Sequence, residues 1–88
     1  MITKQDLKVL GWEHYCTVGE YEKYLKHFGN ETYQLSTDFK NPTVKILFKY
    51  SVNSSMEIFF GKIESPWDLH SIEKDYILKP ILSQTQTM

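Results

Sequence analysis

The stretch from Thr43 to Glu64 limits the fold more than any other part of the chain, because its apolar residues fall into a register that pairs them across a hairpin. With Lys49 opposite Glu57, Leu47 lies by Phe59, Phe48 by Ile58, Ile46 by Phe60 and Tyr50 by Met56, and Ser51 to Ser55 form the loop. Each cross-strand pair of this kind stabilises a sheet by roughly 0.2–1 kcal/mol. In this register the hairpin is apolar on both faces: Val44, Ile46, Phe48, Tyr50, Ile58 and Phe60 on one, Leu47, Phe59 and Ile63 on the other. A hairpin is marginal on its own, so it needs further strands and a covering layer.

The covering layer is written at the two ends of the chain. Thr3 as N-cap, Asp6 at N3 and Ile2 placed to staple against Leu7 specify a short helix within 2–12. Gly11 ends it at C′, and Trp12 at C″ folds back on Leu7. Ser65-Pro66-Trp67-Asp68 opens a second helix with an N-cap Ser, Pro at N1 and an acid at N3. Leu69, Ile72, Tyr76 and Ile77 follow at helical spacing, Asp75 is set to pair with Lys79, and Pro80 brings the helix to its end.

Residues 17–29 carry two sets of signals. A helix is favoured by Thr17 and Glu20 as a capping box, by a Tyr21, Tyr24, Leu25 and Phe28 face, and by Gly29 at C′. A strand is favoured by the density of Tyr, Phe and His and by Gly29-Asn30 as a two-residue hairpin loop leading into Glu31 to Phe39. That hairpin pairs Tyr24 with Leu35 and Lys26 with Tyr33, and it supplies the neighbouring strands that 43–64 requires; the strand is adopted here. Asn41-Pro42 marks the next turn. The predicted architecture is therefore α+β: a short N-terminal helix, an antiparallel sheet of four or five strands in meander order, and a C-terminal helix packed on one face. Residues 1–82 form a single domain and 83–88 a flexible polar tail.

At 88 residues, a domain buries roughly 60–65% of the surface its unfolded chain exposes. The 15% aromatic content enlarges the core, since each ring removes roughly 150–250 Å² from water. The formal charge of −1 gives neither the basic field of a duplex binder nor the acidity of a DNA mimic. All ten cations are Lys, so the bidentate fork that reads guanine and phosphate is missing. The chain has no Ala and is rich in Lys, Ile, Tyr and Phe, the residues of AT-rich codons.

Cys16, the single cysteine, has no intramolecular partner, which fits a reducing cytoplasm rather than secretion. The first ten residues carry Lys4, Asp6 and Lys8 among apolar ones and lack a signal-peptide core. No stretch approaches the ~20 apolar residues of a membrane helix.

The candidates for chemistry are sparse. His14-x-Cys16 places two ligands on one side of a strand, whereas zinc sites take three or four. His70 lies near Asp68 and Glu73, but nothing in the spacing requires a base and its acid, and the carboxylates are scattered singly among lysines. No enzyme activity, cofactor or metal is expected. Lys23, Lys26, Lys40, Lys45, Lys49 and Lys62, interleaved with Tyr21, Tyr24, Tyr33 and Phe59, form a conceivable single-strand platform. Glu20, Glu22, Glu31, Glu57 and Glu64 lie in the same segments and cancel much of its field, which disfavours nucleic acid.

Two short helices cover one sheet face, which leaves the Leu47 and Phe59 side either covered by a loop or by the Tyr-rich segment, or open as apolar ground with Lys45, Lys49 and Tyr33 as a rim. Apolar ground inside a charged rim is the composition of a partner surface. The expectation is a non-enzymatic protein-binding module. The alternatives are a structural protein that pairs with itself, and a single-stranded nucleic-acid binder.

Leu10-Gly11-Trp12, Tyr33-x-Leu35, Val44-x-Ile46, Phe60-Gly61-x-Ile63-x-Ser65 and Leu69 together make a pattern that resembles small proteins of bacteria and their phages to which no activity is attached. The resemblance implies the strand form of 21–28 and a phage or mobile-element origin. It carries neither an activity nor site residues; the absence of chemistry, the near-neutral charge, the cysteine use and the apolar patch are what extend the protein-binding expectation to a phage-encoded modulator or inhibitor of a host or defence complex, working in the host cytoplasm.

Overall fold

In the computed structural model, which describes residues 2–41, 43–51 and 53–79, the first helix, α1 (Lys4–Val9), is closed at both ends by local hydrogen bonds. The Thr3 hydroxyl accepts from the Asp6 N–H at 3.2 Å, and the Asp6 carboxylate accepts from the Thr3 N–H at 2.9 Å. At the other end the Trp12 N–H donates to the Leu7 carbonyl at 2.8 Å and the Gly11 N–H to that of Lys8 at 3.0 Å. This Schellman pair needs a left-handed residue at C′, and Gly11 supplies it with φ 92°. Trp12 is thereby turned into the core beside Leu7.

Five strands follow in a meander: β1 (Glu13–Val18), β2 (Tyr21–Phe28), β3 (Glu31–Thr37), β4 (Thr43–Ser51) and β5 (Ser54–Lys62), each antiparallel to the next. The segment 21–28 is a strand, and its pairing with β3 sets Tyr24 by Leu35 and Lys26 by Tyr33, as the Gly29-Asn30 loop predicts. The last helix, α2 (Pro66–Glu73), starts at Ser65, whose hydroxyl accepts from the Asp68 N–H at 3.3 Å, and runs into a π-helical turn (Lys74–Leu78). Val52, Pro80 and the predicted tail, 83–88, lie outside the described residues.

The β4–β5 register differs from the expected one. Ile46 pairs with Phe59 and Lys45 with Phe60; then Ile58 is passed over, so that Leu47 pairs with Glu57, Phe48 with Met56 and Lys49 with Ser55. The cause is a tighter connection, since β4 continues to Ser51 and β5 resumes at Ser54, together with a bulge at Ile58. One residue of slip exchanges the two faces of a strand, so Phe59 turns toward the helices and Phe60 away from them.

The helices cover the face whose central row is His14–Tyr24–Leu35–Ile46–Phe59, one residue from each strand. Leu35 and Ile46 are fully buried there with Leu7, Trp12, Val44, Ile63, Leu69 and Ile77. Along α2 and the π-helical turn the buried stripe is Leu69, Glu73 and Ile77 rather than the expected Leu69, Ile72, Tyr76 and Ile77; Ile72 is half-buried and Tyr76 exposed. Asp75 and Lys79 are both exposed and form no ion pair with each other, since a solvated i,i+4 pair gains too little to hold two flexible side chains in one geometry.

Glu73 is the surprise of the stripe. It is 3% exposed, and its Oε1 accepts from Lys26 Nζ at 2.6 Å and from Trp12 Nε1 at 3.0 Å. Lys26 also donates to the Leu10 carbonyl and lies 4.8 Å from the centre of the Phe28 ring. One ammonium thus joins β2, the end of α1 and α2.

Candidate partner-binding face

Among the described residues, no helix lies on the opposite face of the sheet. Three cross-strand rows define it: Cys16–Lys23–Ser36–Lys45–Phe60, Glu13–Leu25–Gln34–Leu47–Glu57, and His27–Thr32–Lys49–Ser55. A groove of about 610 Å³ runs over the first two, with Gln34, Ser36, Lys23 and Lys45 along it and Tyr21 and Phe60 among its walls. Phe60 is 63% exposed, and Val18 and Tyr21 beside the groove are exposed by more than half.

Gln34 is the polar residue that sequence reasoning missed. It is only 5% exposed, flanked across the strands by Leu25 and Leu47, and its side-chain amide makes no hydrogen bond among the described residues. No fully enclosed side-chain polar atom is left without a partner there, so the residual exposure of Gln34 is at its amide, which opens into the groove. A strand pattern gives no warning of this. Gln34 occupies an outward register position, and outward polar residues are ordinarily solvated.

At one end of the groove stands the β3–β4 turn. Phe39 takes a left-handed φ of 60°, unusual for a bulky residue, while its ring packs edge-on against Tyr24. Asp38 holds the turn by accepting from the backbone N–H groups of Asn41 and Lys40 at 2.9 and 3.0 Å and from the Asn41 amide at 3.1 Å. The Asn41 N–H foremost keeps the Asp38 carboxyl below its usual pKa.

The expected patch of Leu47, Phe59, Lys45, Lys49 and Tyr33 is divided between the two faces. Leu47, Lys45 and Lys49 stand on the open face: Lys45 lies 3.8 Å from Glu57 and 5.7 Å from the Phe60 ring centre, and Lys49 lies 5.4 Å from that of Tyr15. Phe59 is on the helix side, edge-on to Tyr76 at 5.4 Å. Its ring leans so closely over Gly61 that a Cβ there would come within 2.9 Å of it. Phe60 therefore takes the place on the open face that the sequence assigns to Phe59.

Tyr33 also belongs to the covered face, packed between Phe28 and Phe48, with its hydroxyl donating to Glu31 Oε2 at 2.7 Å. Burial first, and this hydrogen bond second, raise its pKa above the ordinary phenol value. The fold thus favours the protonated phenol, and that stability is complete below pH ~10 and lost as pH rises beyond it. Tyr33→Phe should flatten the alkaline loss of stability in urea midpoints measured from neutral pH upward. An unchanged alkaline slope would contradict the assignment.

The other candidates separate as well. Tyr15 is passed over between His14, which pairs with Tyr24, and Cys16, which pairs with Lys23. This bulge sends His14 to the covered face and Cys16 to the open one, which undoes the two-ligand strand. Glu73 turns inward to Lys26 while His70 stays exposed, so no acid–base pair forms on α2. The lysine and aromatic platform is split too, with Lys26, Tyr24, Tyr33 and Phe59 facing the helices. Among the described residues, no three His, Cys, Asp or Glu side chains come together to hold a metal, and no helix is long and apolar enough to cross a membrane. Comparison with family models, with curated proteins and with solved structures finds no match to this chain.

Proposed function

We propose that the chain is a non-enzymatic protein-binding module that docks a partner on the open face of its sheet. The observation that carries this is the exposed Phe60 and Tyr21 beside a groove into which the amide of the otherwise buried Gln34 opens, with no hydrogen-bond partner among the described residues. Ordinary solvated sheet faces carry polar residues outward, whereas apolar ground inside a charged rim is characteristic of contact surfaces. The near-neutral charge, the cysteine use and the resemblance to small phage and bacterial proteins extend the proposal to a modulator or inhibitor of a larger host or defence complex, acting in a reducing cytoplasm.

The test contrasts neighbouring aromatics. Phe60→Ser should change stability by less than about 0.5 kcal/mol yet abolish capture of a stoichiometric partner from nuclease-treated lysate of the source cells. Phe59→Ser should lower stability by about 2 kcal/mol, because a half-buried core ring is lost. Retained capture by folded Phe60→Ser removes the proposal. A concentration-dependent dimer in light scattering, abolished by Phe60→Ser, gives the same face to a second copy of the chain instead.

A further inference from the structure

We propose that the row Lys23–Ser36–Lys45 receives the carboxylate of an acidic side chain carried on an extended segment of the partner. The inference rests on the open face being a protein-docking surface, and it specifies what the face recognises. The three residues sit side by side on β2, β3 and β4. Neighbouring strands are ~4.8 Å apart, so two ammonium groups bracket one hydroxyl at a separation that a single carboxylate spans once the flexible lysine stems lean inward.

The charges around the row are incompletely matched. Lys23 forms no ion pair among the described residues, and Lys45 has Glu57 at 3.8 Å with both side chains about half exposed. Asp38, the carboxylate beside the groove, is committed to the N–H groups of its own turn. Among the charged residues lining the groove, Lys23 and Lys45 stand against Asp38 alone. Next to the row, the Gln34 amide offers both a donor and an acceptor, which is what a peptide backbone requires. An extended segment points alternate side chains to the same side. An acid over the lysine row therefore places its i±2 neighbours against apolar wall, toward Phe60 or toward Tyr21.

The same rows argue for a carboxylate rather than a nucleic-acid strand. The adjoining row Glu13–Leu25–Gln34–Leu47–Glu57 is uncharged in its middle and acidic at both ends, so the positive strip is one row wide and Lys49, in the row beyond, stands apart from it. A phosphodiester strand presents a charge at every nucleotide and needs a longer cationic track.

The test pans a displayed random dodecapeptide library against the intact chain. Enriched peptides should share one Asp or Glu at a fixed position with apolar residues two places away. Replacing that acid by its amide should weaken binding by about ten-fold or more, as expected for a charge-assisted hydrogen bond. The double variant Lys23→Glu with Lys45→Glu should show a loss of the same order, and Gln34→Met a smaller one, while Lys8→Glu on α1 leaves affinity within about two-fold. Both lysines are at the surface, and urea midpoints matching the parent confirm that the variants are folded. Peptides enriched without a fixed acid, or bound equally by the charge-reversed variant, overturn this inference and leave the docking reading intact. If no peptide is enriched and a fluorescent oligothymidylate binds through the same lysines, both are overturned. No peptide and no oligothymidylate binding likewise overturns the carboxylate assignment.

Discussion

Lys26→Met should lower the unfolding free energy by about 3 kcal/mol, the lower end of the cost of stranding one member of a buried ion pair. The lower end applies because the Lys26 side chain is 21% exposed, although that of Glu73 is only 3% exposed. Met keeps the aliphatic stem against Trp12 and Phe28, so the loss isolates the ammonium. Without it, the Glu73 carboxylate keeps, among the described residues, the Trp12 N–H alone, and the Leu10 carbonyl loses the lysine donor. Adding Glu73→Gln should recover more than half of the loss, because the amide still accepts from Trp12 and carries no charge to desolvate. Urea unfolding of the single and double variants decides the matter. If the double variant is as unstable as Lys26→Met, the cost comes from lost packing rather than from a stranded charge.

Leu35→Ala should cost a further large fraction of the stability, about 3 kcal/mol, within the range for a buried Leu truncated in a core that cannot collapse. Leu35 is 0% exposed on the central strand of the sheet, with Tyr24 and Ile46 on either side of it in the row and helices above. Neighbours on both sides are held by ladder hydrogen bonds, so the cavity has little means of closing. Leu47→Ala, on the opposite face of the next strand, should cost about 1 kcal/mol, since part of that side chain already meets water. Calorimetric or urea midpoints should therefore rank the two substitutions by face. Equal losses would mean that the open face is as tightly covered as the helix side.

How much of this was legible in the sequence depended on how local the deciding interaction was. The caps at Thr3, Gly11 and Ser65 are set within four or five residues, and each is formed as its residues dictate. The β2–β3 register was legible because a two-residue Gly29-Asn30 loop leaves one way to align its strands. The β4–β5 register was not. Both faces of that hairpin are apolar, so hydrophobic alternation fits more than one alignment, and the choice fell to the connection and to a bulge at Ile58. The exchange of Phe59 for Phe60 in the candidate site follows entirely from that step. Glu73 was illegible for a different reason: a carboxylate enters a core only with a partner, and its partner Lys26 lies 47 residues away on a strand. Gln34 reads as a solvated outward residue until Leu25 and Leu47 are known to stand beside it.

The bulges at Tyr15 and Ile58 fall on β1 and β5, the two outermost strands. An outermost strand carries a row of unpaired backbone N–H and C=O groups, and a regular one is a template on which another chain can add as a sixth strand. Each bulge breaks the two-residue repeat partway along, so that an incoming strand loses step after a few residues. The same irregularity that obscured the register from the sequence thus keeps the sheet finite, and resistance to edge-to-edge growth is built into the backbone rather than left to surface charge.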